Sequence, residues 1–319
     1  MTVRIARQNV PALATLAVLL ALYVAAGLTF DGFFSLRVLV NFFGDNAFLG
    51  IVAVGVTFVI LTGGIDLSVG AVVGCTTICS AVLIERQGFH PLAAFGAMLL
   101  AGTLLGTAHG VLIHRFNLQP FLVTLAGLFL ARGVGLWVST ESVQADHPFF
   151  ETFSAAKLPL GDGVFLPFGA LMFLVVFAAG VYVAGSTRFG RTVYAIGGSE
   201  QSAHLMGLDV ARTKVAVYAL SGFCSALGGV ALVVYTSAGN AINGTGLELD
   251  AIAAVVIGGT LLTGGYGSVV GTLFGLLILS VIQTAIIFEG SLSSWWAKIV
   301  TGVLLLAFIL LQRALQPRQ

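Results

Sequence analysis

Long apolar stretches, separated by short polar or Gly-rich breaks, run along almost the whole chain. The longest of them reach the roughly 20 residues that an α-helix needs to cross the hydrocarbon core of a bilayer. We therefore expect an all-α, polytopic integral membrane protein in which residues 1–319 form a single transmembrane domain. With the breaks as boundaries, the pattern predicts about ten spans: 10–30, 46–62, 66–84, 91–113, 119–139, 164–184, 212–237, 250–262, 267–287 and 294–312.

Composition and charge support this class. Of the 319 residues, 58% are hydrophobic and only 8% are charged, which is too little polar surface to cover a soluble globule. Most of the 14 lysines and arginines fall at breaks that share one side with the N-terminus, and basic residues favour the cytoplasmic side. We expect both termini to be cytoplasmic. Within 46–84 and 250–287, a re-entrant hairpin would give the same pattern as two spans.

Known catalytic motifs are missing from the sequence. It contains no GxxxxGK[ST] phosphate-binding loop, no HExxH and no GxSxG, and its 5 histidines lack metal-ligand spacing. The 3 cysteines fall inside predicted spans and form no CxxC pair. We therefore predict no catalytic residue, no metal site, no cofactor bound by this chain and no nucleic-acid partner.

Two stretches of the chain repeat each other. Residues 61–74 read LTGGIDLSVGAVVG and residues 262–275 read LTGGYGSVVGTLFG, with seven of fourteen positions identical. Paired, glycine-interrupted apolar segments indicate a transport pathway, because a broken helix needs a cavity or neighbouring protein to satisfy its backbone. In the alternative interpretation, the glycines only allow close helix packing. The residues assigned a structural role here are Gly63, Gly64, Asp66, Gly264 and Gly265.

Asp66 is the acidic residue of the first repeat. A charge inside a membrane span is a functional-site hypothesis by default. An aspartate just before an apolar run is also typical of a helix N-cap. We favour the N-cap.

A charged, glycine-punctuated island, TRFGRTVYAIGGSEQSAHLMG at 187–207, interrupts the apolar sequence. Gly197 and Gly198 break the chain, and a short helix is predicted to follow. Ser199 is its predicted N-cap, Glu200 suits its positive end, and Gly207 ends it. Its apolar face consists of Ala203, Leu205 and Met206. The island offers a polar surface to something outside the bilayer.

Three long motifs, in the same order along the chain, resemble the permease subunits of bacterial ribose-type sugar ABC importers. They are NAFLGIVAVGVTFVILTGGIDLSVG (46–70), RFGRTVYAIGGSEQSAHLMGL (188–208) and ELDAIAAVVIGGTLLTGGYGSVVGTLFG (248–275). Within this family, the DNAFLGI stretch, the His147 and Pro148 pair and SLSSWW at 291–296 resemble the branch that imports galactofuranose.

The resemblance implies a division of labour. This chain and a second, related permease would form the path for a monosaccharide, with galactofuranose expected, in the bacterial inner membrane and in contact with its lipids. A periplasmic sugar-binding protein would deliver the sugar, and cytoplasmic ABC ATPase subunits would use ATP and Mg. The cytoplasmic loop 187–207 would couple the permease to the ATPase. The coupling residues carried over are Arg188, Gly190, Tyr194, Gly197, Gly198, Ser199, Ala203, Met206 and Gly207. Alternatively, Arg188 and Arg191 only touch lipid headgroups.

A sugar path needs neutral hydrogen-bonding groups and an aromatic face. The candidates are Asn46, Thr57, Thr124, Tyr235, Asn240 and Asn243. Each has another explanation, because threonine in a membrane helix commonly bonds its own backbone and asparagine near a boundary is ordinary in loops.

Two other classes of protein stay open on the sequence alone. An ion-coupled secondary sugar transporter would need intramembrane acids or histidines, whereas nearly all acids lie at predicted boundaries. A membrane enzyme would need a convergent catalytic set, which the sequence does not provide.

Overall fold

The computed structural model of the protein describes residues 2–150, 158–161, 163–293 and 295–315. The chain ends, on which part of the orientation prediction falls, lie outside these ranges. The helices are α1 (Thr2–Thr29), α2 (Leu36–Asp45), α3 (Ala47–Leu61), α4 (Val69–Glu85), α5 (Pro91–Arg115), α6 (Pro120–Val138), α7 (Phe168–Ser186), α8 (Arg188–Gly198), α9 (Glu200–Leu205), α10 (Val210–Thr236), α11 (Leu247–Ile257), α12 (Val269–Glu289) and α13 (Trp295–Leu315). The strands are β1 (Val143–Gln144), β2 (Leu158–Gly161), β3 (Val164–Leu166) and β4 (Ala238–Gly239).

Local sequence explains many helix boundaries. Proline occupies the first turn of α5 and α6, where no backbone donor is lost. Asp209 caps α10 by accepting from the Arg212 amide at 3.1 Å, and Ser268 caps α12 by accepting from the Gly271 amide at 3.0 Å. Gly290, with φ of 68°, ends α12 in the left-handed conformation.

Two predicted segments change their form. The span predicted at 46–62 is preceded by a separate helix, and α2 and α3 meet at a bend of 57° around Asn46. The span predicted at 164–184 starts later, because residues 164–166 form strand β3 and α7 begins only after Pro167. Proline disfavours helical geometry in the residue before it, which explains the late start.

The protein is mostly helical, with two small antiparallel ladders that the all-α prediction did not include. Strand β1 pairs with β4, so that Val143 lies opposite Gly239, and β2 pairs with β3. Because β1 follows α6 and β4 follows α10, the first ladder joins the ends of two helices. This ladder therefore lies at the end of α10 opposite the segment 187–207.

Among the residues that the structure describes, five helices are long and apolar enough to cross a membrane: α5, α6, α7, α10 and α12. The bent pair of α2 and α3 makes a sixth if it counts as one span. The class of polytopic membrane protein is confirmed, while the count of about ten spans and the orientation stay predictions.

The bundle has a buried centre and an apolar rim. Almost every residue of α3 is buried, and α3 packs with α10, α11 and α12 in one large core. By contrast, α5, α6 and α7 expose large apolar side chains such as Leu104, Phe129 and Val175. An apolar outer surface of this kind suits contact with lipid.

Candidate coupling site and membrane path

The segment 187–207 folds as two short helices rather than one. Thr187 caps α8 by accepting from the Gly190 amide at 3.1 Å, and Ser199 caps α9 by accepting from the Ser202 amide at 3.2 Å. The Ser199 cap was predicted, whereas α8 was not, and Gly197 and Gly198 form its last turn. Gly207, with φ of 76°, follows the end of α9, as predicted.

The exposed face of α9 differs from the predicted one. Ala203 is fully buried against Ile196 of α8 and Val210 of α10, so it holds the segment together and offers nothing to a partner. This corrects its assignment to the docking face. Leu205 and Met206 are 79% and 67% exposed. An apolar pair this exposed at the tip of a polar segment is suited to protein contact.

Polar contacts orient this segment. Lys214 of α10 forms an ion pair with Glu200 at 2.6 Å, which ties the start of α9 to the bundle. Gly190 lies so close to the Ala184 carbonyl that a side chain would overlap it, which explains the glycine at the turn between α7 and α8. Arg188 and Arg191 are exposed and free to meet an acidic partner or lipid phosphate.

The last turn of α8 meets both copies of the repeat. A Cβ on Gly197 would overlap the Leu61 carbonyl oxygen and the Gly265 amide nitrogen. A Cβ on Gly264 would lie 2.6 Å from the Gly63 nitrogen and 3.0 Å from the Gly197 Cα. We name the contact of Gly63, Gly197, Gly264 and Gly265 the glycine junction.

The backbone of the glycine junction is strongly constrained. Gly63, Gly264 and Gly265 have φ of 77°, 84° and 74°, a region that favours glycine. The Gly265 amide donates to the Leu61 carbonyl at 2.9 Å, which bonds the two repeat loops to each other. The transport-pathway interpretation and the close-packing interpretation of the repeat glycines are therefore compatible, because close packing brings the two broken segments together.

Tyr194 adds a side-chain link between α8 and the second repeat. Its hydroxyl donates to the Gly267 carbonyl at 3.0 Å. Burial raises the pKa of the Tyr194 phenol above its ordinary value, so the hydroxyl keeps its proton and remains a donor at neutral pH.

Asp66 has a different role from the predicted N-cap. The N-cap of α4 is Ser68, and the Asp66 carboxylate accepts from the Ser68 amide at 3.0 Å and from its hydroxyl at 2.6 Å. Its other oxygen accepts from Ser221 Oγ of α10 at 2.7 Å. Asp66 is only 1% exposed. The carboxylate therefore fastens the loop between α3 and α4 to the middle of α10, beside Gly64, which has no room for a Cβ against the Tyr218 hydroxyl.

Three predicted path residues make packing contacts instead. Thr57 Oγ1 lies 2.8 Å from Thr272 Oγ1 between α3 and α12, and both residues are buried. Thr124 donates to the Pro120 carbonyl of its own helix at 2.9 Å, and Asn46 donates to the Phe42 carbonyl at 3.4 Å, beside the bend. These contacts favour the structural explanation for all three.

Asn240 and Asn243 come together on the non-helical segment between β4 and α11. Thr77 of α4 donates to the Asn240 carbonyl at 3.0 Å, and Asn243 Nδ2 donates to Thr77 Oγ1 at 3.4 Å. Tyr235 lies apart from this pair and donates to Asp45 at 3.1 Å. The structure thus separates Tyr235 from the two asparagines.

Arg132 and Glu248 complete this polar region and were missed from the sequence. The Arg132 guanidinium of α6 donates to the Ala241 carbonyl and, at 2.9 Å, to the Asn243 carbonyl. Glu248 Oε2 is buried against Gly70 and has no hydrogen-bond partner among the residues that the structure describes. The signal for Arg132 was its position inside the predicted span 119–139, since a charge there is a functional-site hypothesis.

Two glycine-interrupted apolar segments that meet inside a bundle of apolar helices are a feature of membrane transport proteins. The chain belongs to the family described as "Branched-chain amino acid transport system / permease component", which it matches over residues 38–309. No solved structure gives a significant match.

Curated relatives cover nearly the whole chain. It is 48% identical to the inner membrane ABC transporter permease protein YjfF of Escherichia coli, over 97% of this chain and 93% of the relative. It is 39% identical to the fructose import permease protein FruG of Bifidobacterium longum, over 97% and 92%. Identity to the ribose import permease protein RbsC of Escherichia coli is 36%, over 95% and 94%.

Proposed function

We propose that this chain is a membrane-spanning subunit of an ATP-driven importer for a monosaccharide. It forms the translocation path with a second, related permease, receives the sugar from a periplasmic binding protein, and takes energy from an ABC ATPase subunit that binds ATP and Mg. The names of the fructose and ribose import permeases support the substrate class.

The observation that carries this proposal is the continuous contact from α9 to the repeat. Leu205 and Met206 are exposed at the tip of the segment 187–207, and Gly197, in the last turn of α8 in the same segment, lies in the glycine junction. A displacement imposed on α9 by a partner reaches both broken spans through backbone contacts, which cannot relax by side-chain rotation.

Reconstitution tests the energy source. Proteoliposomes that hold this chain, its sister permease and the ATPase should accumulate sugar only with ATP inside and binding protein outside. Uptake should survive collapse of the proton gradient. Accumulation that needs no ATPase and follows the pH gradient would replace the proposal with an ion-coupled secondary transporter.

We further propose galactofuranose as the preferred sugar and a heterodimer as the working state, from the resemblance of DNAFLGI and SLSSWW to that branch. Uptake from mixtures of galactose ring forms should deplete the furanose form first. Native mass spectrometry of the purified complex should give one copy each of two different permeases. Two identical permease chains, or preference for a pyranose, would contradict this part alone.

We also propose an inner-membrane location with both termini and the segment 187–207 in the cytoplasm. The test uses single cysteines at Ser199 and Gln144 in a background without native cysteines. A membrane-impermeant thiol reagent should label the Gln144→Cys variant in cells with a permeabilised outer membrane and leave the Ser199→Cys variant unlabelled. The reverse labelling would invert the topology.

A further inference from the structure

The residues between β4 and α11 form an irregular segment that lies deep in the bundle. This segment runs alongside α4 between Thr77 and Gly70. Thr77 donates to the Asn240 carbonyl, and a Cβ on Gly70 would overlap the Gly244 carbonyl and Glu248. That stretch of α4 is about 10 Å long at 1.5 Å per residue. Its lower end lies beside Asp66, which bonds Ser221 near the middle of the membrane-crossing helix α10.

One side of this segment is exposed at that depth. Ile242 is 61% exposed, Thr245 is also exposed and Asn243 is half-buried, and Leu249 in the first turn of the following helix α11 is 62% exposed. Irregular backbone with polar side chains is not tolerated against lipid within the hydrocarbon region. The exposed side must therefore face a water-filled path or another protein.

Three charged side chains lie in or beside this segment, and one of them has a hydrogen-bond acceptor without a partner among the described residues. Arg132 is engaged with two backbone carbonyls, and Asp250 forms an ion pair with Lys298 of α13. Glu248, in the first turn of α11, has one carboxylate oxygen without a partner among the described residues. A carboxylate acceptor next to an amide and a hydroxyl suits a neutral solute with many hydroxyl groups.

We propose that residues 240–249 form the wall of the substrate path and that Asn243, Thr245 and Glu248 contact the hydroxyl groups of a neutral sugar. Arg132 is a positioning residue, because it holds the backbone of this segment against α4. The assignment to a sugar rests on the proposed function, whereas the location of the path rests only on depth and exposure. It adds Thr245 and Glu248 to the two asparagines and places Thr57, Thr124 and Asn46 outside the path.

Accessibility tests the location. In a Cys75→Ser, Cys79→Ser and Cys224→Ala background, Thr245→Cys is compared with Leu130→Cys. Leu130 is 58% exposed and lies two residues before Arg132, so it has similar depth but belongs to the apolar rim. During turnover of the reconstituted complex, 2-(trimethylammonium)ethyl methanethiosulfonate should label Thr245→Cys at least about tenfold faster, since a charged reagent does not enter lipid.

Two results would overturn the location. Equal, slow labelling of both variants would place residue 245 against lipid, and crosslinking of Thr245→Cys to the second permease without labelling would place it in a subunit interface. The labelling needs no knowledge of the solute. Faster labelling of Thr245→Cys in a complex that moves no sugar would therefore contradict the proposed function and leave the path in place.

Coupling tests the sugar contact. Glu248→Gln should reduce the D-galactose moved per ATP hydrolysed by about tenfold, a change that corresponds to 1.4 kcal/mol, while ATP hydrolysis stays within about twofold. Asp250→Asn, the neighbouring acid that is paired with Lys298, should keep the wild-type ratio. A parallel fall of transport and ATP hydrolysis in Glu248→Gln would indicate a structural role, and an unchanged ratio would show no contact; either result overturns the assignment.

Discussion

The two copies of the LTGG repeat begin alike and end differently. In both, a glycine with positive φ turns the chain beside α8, and both turns meet Gly197 of α8. After the turn, the first copy continues through Asp66, which is bonded to α10, whereas the second copy has Gly267 at the equivalent position, with φ of 143°. The first copy is anchored to α10 by a buried carboxylate, whereas the second copy has no carboxylate at that position and bonds Tyr194 of α8 through the Gly267 carbonyl.

The segments that precede the two copies differ as well. The first copy follows the helix α2, which bends by 57° into α3. The corresponding residues of the second copy, 237–246, are unwound and turn at Gly244 and Gly246. The two halves of the chain thus differ in structure although their repeats are similar in sequence. The half with the first copy is helical before the repeat, and the half with the second copy is irregular at the corresponding residues. We propose that the irregular half contacts the substrate, since irregular backbone at this depth is tolerated beside a cavity, and that the anchored half serves as its frame.

Among changes that keep the fold of the segment 187–207, the largest effect is expected where the two copies share a contact. Gly197→Ala puts a methyl group into the Leu61 carbonyl and the Gly265 amide. Overpacking of this kind costs about 1–3 kcal/mol, so sugar uptake should fall by about tenfold or more. Uptake in proteoliposomes, normalised to the amount of permease, measures it.

Gly198→Ala is the matched control. Gly198 is the next residue of the same turn, yet a Cβ there has no atom within 4 Å among the described residues. Its uptake should stay within about twofold of wild type, because the last turn of α8 is solvent-exposed at this point. If Gly197→Ala transports as well as Gly198→Ala, the junction does not connect the two copies functionally.

A smaller effect is expected at the exposed tip of the segment 187–207. Leu205→Ala should weaken binding of the ATPase by about tenfold, in the range of interface residues that cost more than 1 kcal/mol. Gln201→Ala, also exposed on α9, is the control. Affinity pull-down of the ATPase at a series of concentrations measures the change, and equal binding by the two variants would exclude Leu205 from the interface.

Ala203→Asp should act differently from both Gly197→Ala and Leu205→Ala. Because Ala203 is fully buried against Ile196 and Val210, an aspartate there would be an unpaired charge in a small apolar cluster. We expect the segment 187–207 to lose its fold and become sensitive to protease, with the ATPase lost as a consequence. A variant that loses the ATPase but resists protease like wild type would return Ala203 to the docking face.

The sequence predicts the features that depend on neighbouring residues. Apolar runs predict the helices, Ser199 predicts the start of α9, and Gly207 predicts its end, because caps and left-handed turns are decided within a few residues. The boundary at Pro167 was available by the same reasoning. It was missed because the apolar run continues across the proline.

The pattern of apolar and polar residues along the chain does not predict long-range contacts. Nothing in residues 61–64 or 262–265 alone indicates that they meet Gly197, since Leu61 lies 136 residues before Gly197 and Gly265 lies 68 residues after it. The depth of Glu248 was misjudged for a related reason. The sequence reasoning grouped it with the acids at predicted span boundaries, whereas its Oε2 lies against Gly70 of α4, which is 178 residues earlier in the chain.

The smallest effect is expected from loosening only the anchored copy. Ser221→Ala removes one donor to the buried Asp66 carboxylate, which costs about 1–3 kcal/mol when the acceptor is left unsatisfied. Ser225→Ala is the control, because its hydroxyl is equally buried and donates only to the Ser221 carbonyl of its own helix at 2.7 Å. Ser221→Ala should lower the melting temperature in detergent by more than Ser225→Ala. Amide hydrogen exchange should rise at residues 62–68 and stay unchanged at 263–268, since the second copy has no carboxylate at the equivalent position. Equal acceleration at both loops would mean that the copies are anchored together through the glycine junction rather than separately.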